Sequence, residues 1–175
     1  DTGTSPSNQY NNGYQTPFAT VMTCGTGDFD NGNSQSEAFV KLGSVNNPEG
    51  AVAAVGLATT GTHTAYNNIL DMGIYDGIFS KKLWYAGAAE ANGDLAILAT
   101  YPSNPSGVTE AFIAWSNLIG DPALHLWTGV PKNFAVDHID VIALGTTTTD
   151  IIVFDEDGNS VGGARVTLLM GDDVI

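Results

Sequence analysis

Two short runs of nonpolar residues constrain the fold of this chain more than any other feature of its sequence. Phe18–Cys24 is an apolar run with β-branched members, and Ala51–Ala58 is continuously apolar. Runs of this kind are typical of strands that are buried on both faces, as in a parallel sheet. Each run is followed by a loop rich in Gly and Thr and then by a helical pattern. The sequence therefore predicts an open α/β sheet, whose sites lie at the carboxyl ends of the strands.

Helix signals follow both runs. Ser34 is predicted to be an N-cap, and Glu37, three residues later, completes a capping box. Further helices are predicted over three segments: Ala65–Phe79, Leu83–Tyr101 and Val108–Leu118. Glycines at 73 and 77, and the Asn92-Gly93 pair, weaken the first two of these helices. Residues 1–17 are predicted to be an irregular loop, and Ala123–Thr128 a short strand.

From about Phe134 the pattern becomes strand-like. Strands are predicted over Ile139–Leu144, Asp150–Phe154 and Ala164–Met170, with a hairpin turn at Asp155–Asn159. This pattern resembles the opening hairpin of an immunoglobulin-like or carboxypeptidase-regulatory-like sandwich. We therefore expect a first domain over residues 1–131 and the start of an all-β sandwich over residues 132–175. Open edge strands in such a truncated sandwich would favour self-assembly.

The charge of the chain excludes several classes of partner. It has 19 Asp and Glu residues against 5 Lys and Arg, for a formal net charge of −14. Five scattered cations cannot form a patch that follows phosphates, which excludes nucleic acid and disfavours an anionic membrane surface. No apolar run approaches the ~18 residues that a membrane span requires. Low Lys with abundant Asp, Asn and Thr is typical of secreted or cell-surface proteins, or of proteins from salty water.

The single cysteine, Cys24, ends the first apolar run and precedes Gly25. A lone cysteine excludes an internal disulfide and a zinc site made of several cysteines. Backbone N–H groups in a strand-end turn can stabilise a thiolate and later an oxyanion, so one interpretation is a nucleophile. The other interpretation is a small buried hydrophobic residue. Cys24 and the loop Leu57–Thr64 are expected to be neighbours at one edge of the sheet.

Five segments, taken in their order and spacing, resemble the gingipain-type cysteine peptidases. They are Val21–Cys24, Gly27–Phe29, Ser36–Phe39, Gly50–Gly56 and Asn117–Leu124. The resemblance implies a caspase-like three-layer α/β sandwich with a mostly parallel sheet, followed by an immunoglobulin-like domain. It also implies a secreted endopeptidase that cleaves proteins or peptides without a required cofactor, with Cys24 as the nucleophile of a Cys/His dyad. The implied substrate pocket contains Gly25, Thr59, Thr60 and His63.

The chain departs from this family at the general base. The family carries its base in a Gly-His-Gly turn upstream of the cysteine strand, and this sequence has no such motif. Because a thiol without its base is a weak nucleophile, we expect this fragment to be inactive without a missing N-terminal part of the same precursor. His63 is the only candidate substitute, and a loop histidine bonded to backbone is the competing interpretation. The alternative function is a non-catalytic cell-surface or filament assembly module derived from the peptidase fold.

The turn that follows the cysteine is rich in oxygen ligands. Asp28 and Asp30 lie within it, and calcium binding is one interpretation. The spacing fails the EF-hand register, since Gly32 stands where a ligand is needed and no Glu closes the loop. The competing interpretation is a plain turn that leads into a helix.

Overall fold

The computed structural model describes residues 10–30, 32–170 and 173–174. The chain divides into two units, Asp1–Thr128 and Gly129–Ile175. The loop predicted over residues 1–17 is irregular from residue 10 onward, and residues 1–9 lie outside the described part. None of the described helices is both long enough and apolar enough to cross a membrane.

The first unit alternates strands and helices. In chain order its elements are β1 Phe18–Val21, α1 Gln35–Val40, β2 Gly43–Ser44, β3 Asn47–Pro48, β4 Ala53–Leu57, α2 Thr64–Phe79, α3 Ala86–Thr100, a 3₁₀ turn Pro105–Gly107, α4 Val108–Trp115 and β5 Ser116–Ile119. The second unit contains β6 Ala135–Asp137, β7 Ile152–Phe154, β8 Leu169–Met170 and β9 Asp173–Val174.

The central sheet of the first unit has three strands in the order β1-β4-β5. Strand β4 runs parallel to β1, with Ala53 opposite Phe18, and antiparallel to β5, with Val55 opposite Leu118. Every residue of β4 is buried. The predicted buried parallel strand is therefore confirmed, but the sheet is only partly parallel rather than mostly parallel.

Helices cover both faces of β4, because successive side chains of a strand point to opposite sides. Gly56 faces α1 so closely that a Cβ at this position would collide with the Ser36 hydroxyl. Val55 and Leu57 face the other way, into a core that α2, α3 and α4 supply with Leu70, Ile74, Ile97 and Phe112. The first unit is therefore a three-layer arrangement around β4.

The predicted capping box at the start of α1 is confirmed. The Ser34 N–H donates to Glu37 Oε2 at 2.9 Å, and the Glu37 N–H donates to Ser34 Oγ at 3.3 Å. Lys41, one turn later, donates to Glu37 Oε1 at 2.9 Å. These bonds satisfy N–H groups that the first turn of a helix would otherwise leave unpaired.

Glycines within the sequence of α2 allow it to pack very closely against α3. A Cβ at Gly73 would lie 2.7 Å from the Cβ of Ala96 and 2.8 Å from the Cα of Gly93. The buried side chain of Asn92 donates to the Gly73 carbonyl at 2.6 Å, across the same contact. This packing outweighs the roughly 1 kcal/mol that a helical glycine loses in helix propensity. Both helices therefore run through the positions that weakened their prediction.

Two predicted elements near the end of the first unit are wrong. Helix α4 ends at Trp115 rather than continuing to Leu118, and Ser116–Ile119 forms β5, because these residues complete the second edge of β4. Ala123–Thr128 forms no strand and makes a single bridge, between His125 and Tyr85. Its backbone instead bonds to the residues that lead into α3, as in the 3.0 Å bond from the Ala86 N–H to the Leu124 carbonyl.

The second unit contains the predicted turn but a different pairing. The Asp155 N–H donates to the Asn159 carbonyl at 2.9 Å, which closes the turn. Strand β7 pairs with β6, and the strand predicted over Ile139–Leu144 is absent. The return from the turn ends at Val161, because Gly162-Gly163 follows and Gly163 has φ of +75°. The predicted return strand Ala164–Met170 is therefore wrong, apart from β8, which pairs with β9.

Glu90 of α3 contacts β5. Its carboxylate accepts a hydrogen bond from the Ser116 hydroxyl at 3.2 Å. Asp94, one helical turn later, has a buried Oδ1 without a hydrogen-bond partner. Burial, and then the charge of Glu90, raise the pKa of Asp94 from its ordinary 3.8 to about 7.

This raised pKa predicts a stability that depends on pH. Below its ordinary pKa of 3.8, Asp94 is neutral in both the folded and the unfolded states. Between pH 3.8 and about 7 the carboxyl group ionises in the unfolded chain but not in the folded one, so the folded state loses stability over this range. We expect Asp94→Asn, which is neutral at every pH, to raise the thermal midpoint at pH 8 and to change it little at pH 4. Circular dichroism melts of this variant and of the exposed-site control Asp140→Asn would measure both effects. An equal shift at the two pH values would contradict the prediction.

Candidate functional site

The turn after β1 lies against the loop after β4. The Cys24 Sγ is 3.0 Å from the Thr62 Oγ1, and the Gly25 N–H donates to the Thr59 carbonyl at 2.8 Å. The predicted proximity of Cys24 to the loop Leu57–Thr64 is thereby confirmed. The thiol itself is exposed to solvent. A reactive group in this position meets molecules that approach the carboxyl edge of the parallel strands.

A close backbone contact holds this turn on the end of β4. A Cβ at Gly27 would lie 2.5 Å from the carbonyl of Gly56, and the Gly27 N–H donates to the Leu57 carbonyl at 3.1 Å. On the same turn, the Asn117 side-chain amide donates to the Gly27 carbonyl at 3.2 Å. The structure shows that Gly27 must be glycine because two backbones meet there.

Polar side chains fasten the remainder of the turn. The buried Thr26 hydroxyl bonds to the Thr23 carbonyl at 2.8 Å and accepts from the Leu57 N–H at 3.3 Å. The Asn67 amide of α2 donates to the Met22 carbonyl at 3.1 Å. Sequence reasoning missed these residues, because Thr and Asn in and beside loops are too common to stand out. A loop anchored from several elements keeps its geometry when a ligand binds.

Hydrogen bonds favour the ionised form of the thiol. The hydrogen bond from the Thr62 hydroxyl is the largest cause that lowers the Cys24 pKa, and the Thr62 backbone N–H is the second, with burial acting in the opposite direction. The thiolate is the nucleophilic form of cysteine, so both donors raise its reactivity at neutral pH. The Gly25 N–H does not add to this effect, because it donates to the Thr59 carbonyl. Thr62 was also missed in the sequence.

The other predicted pocket residues occupy the same loop. His63 is the N-cap of α2, where its Nδ1 accepts from the Ala65 N–H at 3.2 Å. None of the hydrogen bonds of this imidazole reaches Cys24. The Thr59 hydroxyl accepts from the Gly61 N–H at 3.1 Å, and Thr60 is exposed beside it. As placed, His63 stabilises the helix start rather than the thiolate.

The candidate calcium residues are not brought into a cluster. The Asp28 N–H donates to the Gly25 carbonyl at 3.4 Å, and Asp30 is exposed. Within the part of the chain that the structure describes, which excludes residue 31, no group of three or more His, Cys, Asp or Glu could hold a metal ion. Calcium at Asp28 and Asp30 stays a prediction.

Comparisons with known proteins agree with this geometry. The model of the family described as peptidase family C25 matches residues 2–127. The crystal structure of the Arg-specific cysteine proteinase gingipain R (RgpB) matches with 22% identity and a TM-score of 0.63, over 81% of this chain and 33% of that chain. The complex of Porphyromonas gingivalis RgpB pro- and mature domains matches with 21% identity and a TM-score of 0.61, over 81% and 34%. A search of curated proteins finds no match.

These matches establish the fold. They cover most of this chain but only a third of each solved chain. The chain spans about a third of the length of the two solved chains, which are similar to it at 22% and 21% identity. The matched family segment ends at residue 127, one residue before the first unit ends at Thr128. The family match is therefore confined to the unit that carries Cys24.

The contact between Thr62 and the thiol leads to a prediction for Thr62→Val. The valine keeps the shape of the side chain but cannot donate a hydrogen bond, so we expect the Cys24 pKa to rise and alkylation at neutral pH to slow. The rate of iodoacetamide labelling, followed by mass spectrometry as a function of pH, measures this pKa. Thr62→Ser retains the hydroxyl and should keep the original profile. Identical profiles for the valine and serine variants would contradict the assigned role of Thr62.

Proposed function

The chain belongs to peptidase family C25, and from this premise we propose that it is the cysteine-bearing part of an endopeptidase that cleaves proteins or peptides. The observation that carries the proposal is the exposed Cys24 thiol at the carboxyl end of β1, with its Sγ 3.0 Å from the Thr62 hydroxyl. That hydroxyl favours the thiolate. The fold implied by the family is the caspase-like α/β sandwich.

The chemistry requires more than the thiolate. In the proposed reaction the Cys24 sulfur attacks the scissile carbonyl carbon, the amine leaves with a proton, and water hydrolyses the thioester. A general base and acid must move that proton. We propose that this group is a histidine in a part of the protein outside these residues, since the matched structures are about three times longer. The chain by itself is then inactive.

Substrate contacts are proposed on the loops that border the thiol. Gly25, Thr59, Thr60 and His63 would line the pocket, because they lie in the two loops that meet at Cys24. The proposed location of the protein is the cell surface or the exterior, supported by the net charge of −14. A calcium ion at Asp28 and Asp30 is proposed as a structural ligand rather than a catalytic one.

The nucleophile is tested in the longer protein that contains this chain. We expect Cys24→Ser to abolish peptide hydrolysis, because a serine hydroxyl at this site lacks the low pKa of the thiol. His63→Ala should keep kcat, raise KM through the lost pocket contact, and lower stability by roughly 0.5–2 kcal/mol through the lost helix cap. Release of a fluorogenic peptide product measures kcat and KM. Full activity in Cys24→Ser would exclude Cys24 as the nucleophile, and a loss of kcat in His63→Ala would indicate that the base lies in this chain.

A second candidate function is non-catalytic assembly through the second unit, which we propose to be the start of an immunoglobulin-like sandwich. The observation in its favour is an exposed nonpolar surface, with Val141 at 81% and Leu144 at 107% of full exposure. Strands β6 and β7 pair only with each other among the described strands of this unit. Exposed apolar side chains and open strand edges are typical of surfaces that bind other chains.

Light scattering coupled to size exclusion separates the two candidates. Assembly predicts a mass well above the 18.2 kDa of one chain, and Leu144→Asp should restore the monomer by placing a charge in the contact. A stable monomer at every concentration tested would exclude the assembly function. This result does not depend on whether Cys24 reacts.

A further inference from the structure

A row of polar side chains lies where helix α2 packs against strand β1. The row consists of Asn67, Asp71 and Tyr75, which are spaced by four residues and therefore occupy one side of the helix on successive turns. At one end the Asn67 amide donates to the carbonyl of Met22, the residue after β1, at 3.1 Å. At the other end the Tyr75 hydroxyl lies 3.2 Å from the Thr20 hydroxyl of β1. Because the turns before and after it both reach this strand, Asp71 also faces it.

Two acceptor oxygens in this row have no hydrogen-bond partner among the described residues. They are Asn67 Oδ1 and Asp71 Oδ1, and both atoms are buried. Asn67 is only 8% exposed, and its Nδ2 is fixed on the Met22 carbonyl, so its Oδ1 is held in the same seam between helix and strand. A buried acceptor without a donor destabilises the folded state, and native proteins satisfy nearly all such atoms with a protein donor, a water molecule or an ion.

The group that these oxygens require is expected to be positively charged. Asp71 contributes a carboxylate, and none of the ion pairs among the described residues includes it. Lys81, the cation that follows α2, is held instead by Asp76 at 3.0 Å and by the Asn92 side chain at 2.9 Å. A water molecule could donate to both oxygens, but it would not balance the charge of the carboxylate.

We propose that Asn67 Oδ1 and Asp71 Oδ1 are two ligands of a calcium ion bound between α2 and β1. Carboxylate and amide oxygens are the ligands that calcium prefers, and its flexible geometry accepts waters at the remaining positions, whereas magnesium demands a near-ideal octahedron. With one carboxylate the site is weak, with a Kd of roughly 10⁻⁴–10⁻³ M, as in extracellular modules. The ion fastens α2 to the strand that leads to Cys24, and its ligands are distinct from Asp28 and Asp30.

Thermal unfolding of the 175-residue chain tests this site. The reference protein carries Asp28→Asn and Asp30→Asn, so that those two carboxylates cannot bind calcium. Two further variants of it are compared: Asp71→Asn, and Asp140→Asn as the same change at an exposed residue. For the affinity given above, about 10 mM calcium should raise the thermal midpoint of the reference and of Asp140→Asn by roughly 3–10 °C. The midpoint of Asp71→Asn should respond to calcium no more than to the same concentration of magnesium, which measures the screening of the negative charge.

The stability without calcium gives a second readout. In EDTA we expect Asp71→Asn to be at least as stable as the reference, because it removes an unpaired charge and its new amide can donate to Asn67 Oδ1. Calcium should narrow this difference or reverse it, since only the reference protein gains the ion.

Three results would overturn the proposal. The first is a calcium shift in the reference protein that is no larger than the magnesium shift, which would leave the two oxygens to water. The second is a calcium shift that Asp71→Asn retains in full. The third is a loss of stability in Asp71→Asn that is the same in EDTA and in calcium, which would give Asp71 a structural role without an ion. None of these results depends on the reactivity of Cys24, so the site is tested separately from the proposed function.

Discussion

The site depends on one backbone contact, between Gly27 and Gly56. Because neither residue has a side chain, the turn that carries Cys24 can lie directly on the end of β4, and the Gly27 N–H reaches the Leu57 carbonyl. Any Cβ at Gly27 would push the turn away from the strand. The turn would then separate from the loop that holds Thr62, and the thiol would lose the donors that lower its pKa. The lowered pKa of Cys24 therefore depends on two residues that have no side chain, Gly27 and Gly56.

Local signals were sufficient to predict most of the elements around this contact. The apolar run at Ala51–Ala58 predicts a buried parallel strand, and Ser34 with Glu37 predicts a helix start, because each signal is contained within a few residues. The meeting of Cys24 with the loop after β4 also follows from the rule for parallel strand ends. The sequence did not show why residue 27 must be glycine, because its contact, Gly56, lies 29 residues away and only the fold brings the two together.

One failed prediction and one weakened prediction share this cause. The residues Ser116–Ile119 have no clear strand pattern, and the preceding helix was therefore predicted to continue through them. They form β5 because they pair with the edge of β4. Gly73 argues against a helix by propensity, but the close approach of α3 requires it there. In each case a long-range demand overrides a weak local preference. The predicted return strand Ala164–Met170 failed for a local reason, since the Gly162-Gly163 pair ends the pairing with β7 at Val161, before that segment begins.

The hydrogen bonds at Cys24 also limit the part that Thr62 can take in the proposed reaction. No Lys or Arg contributes to the lowered pKa of the thiol, which is due to the hydroxyl and N–H of Thr62. The use of neutral donors agrees with the composition of the chain, which has a net charge of −14 and only 5 Lys and Arg residues. They stabilise the thiolate, but a threonine hydroxyl does not gain or lose a proton near neutral pH. In the proposed hydrolysis, Thr62 would therefore stabilise the attacking thiolate but could not protonate the leaving amine. The proton would have to come from a titratable group that approaches the exposed side of the thiol.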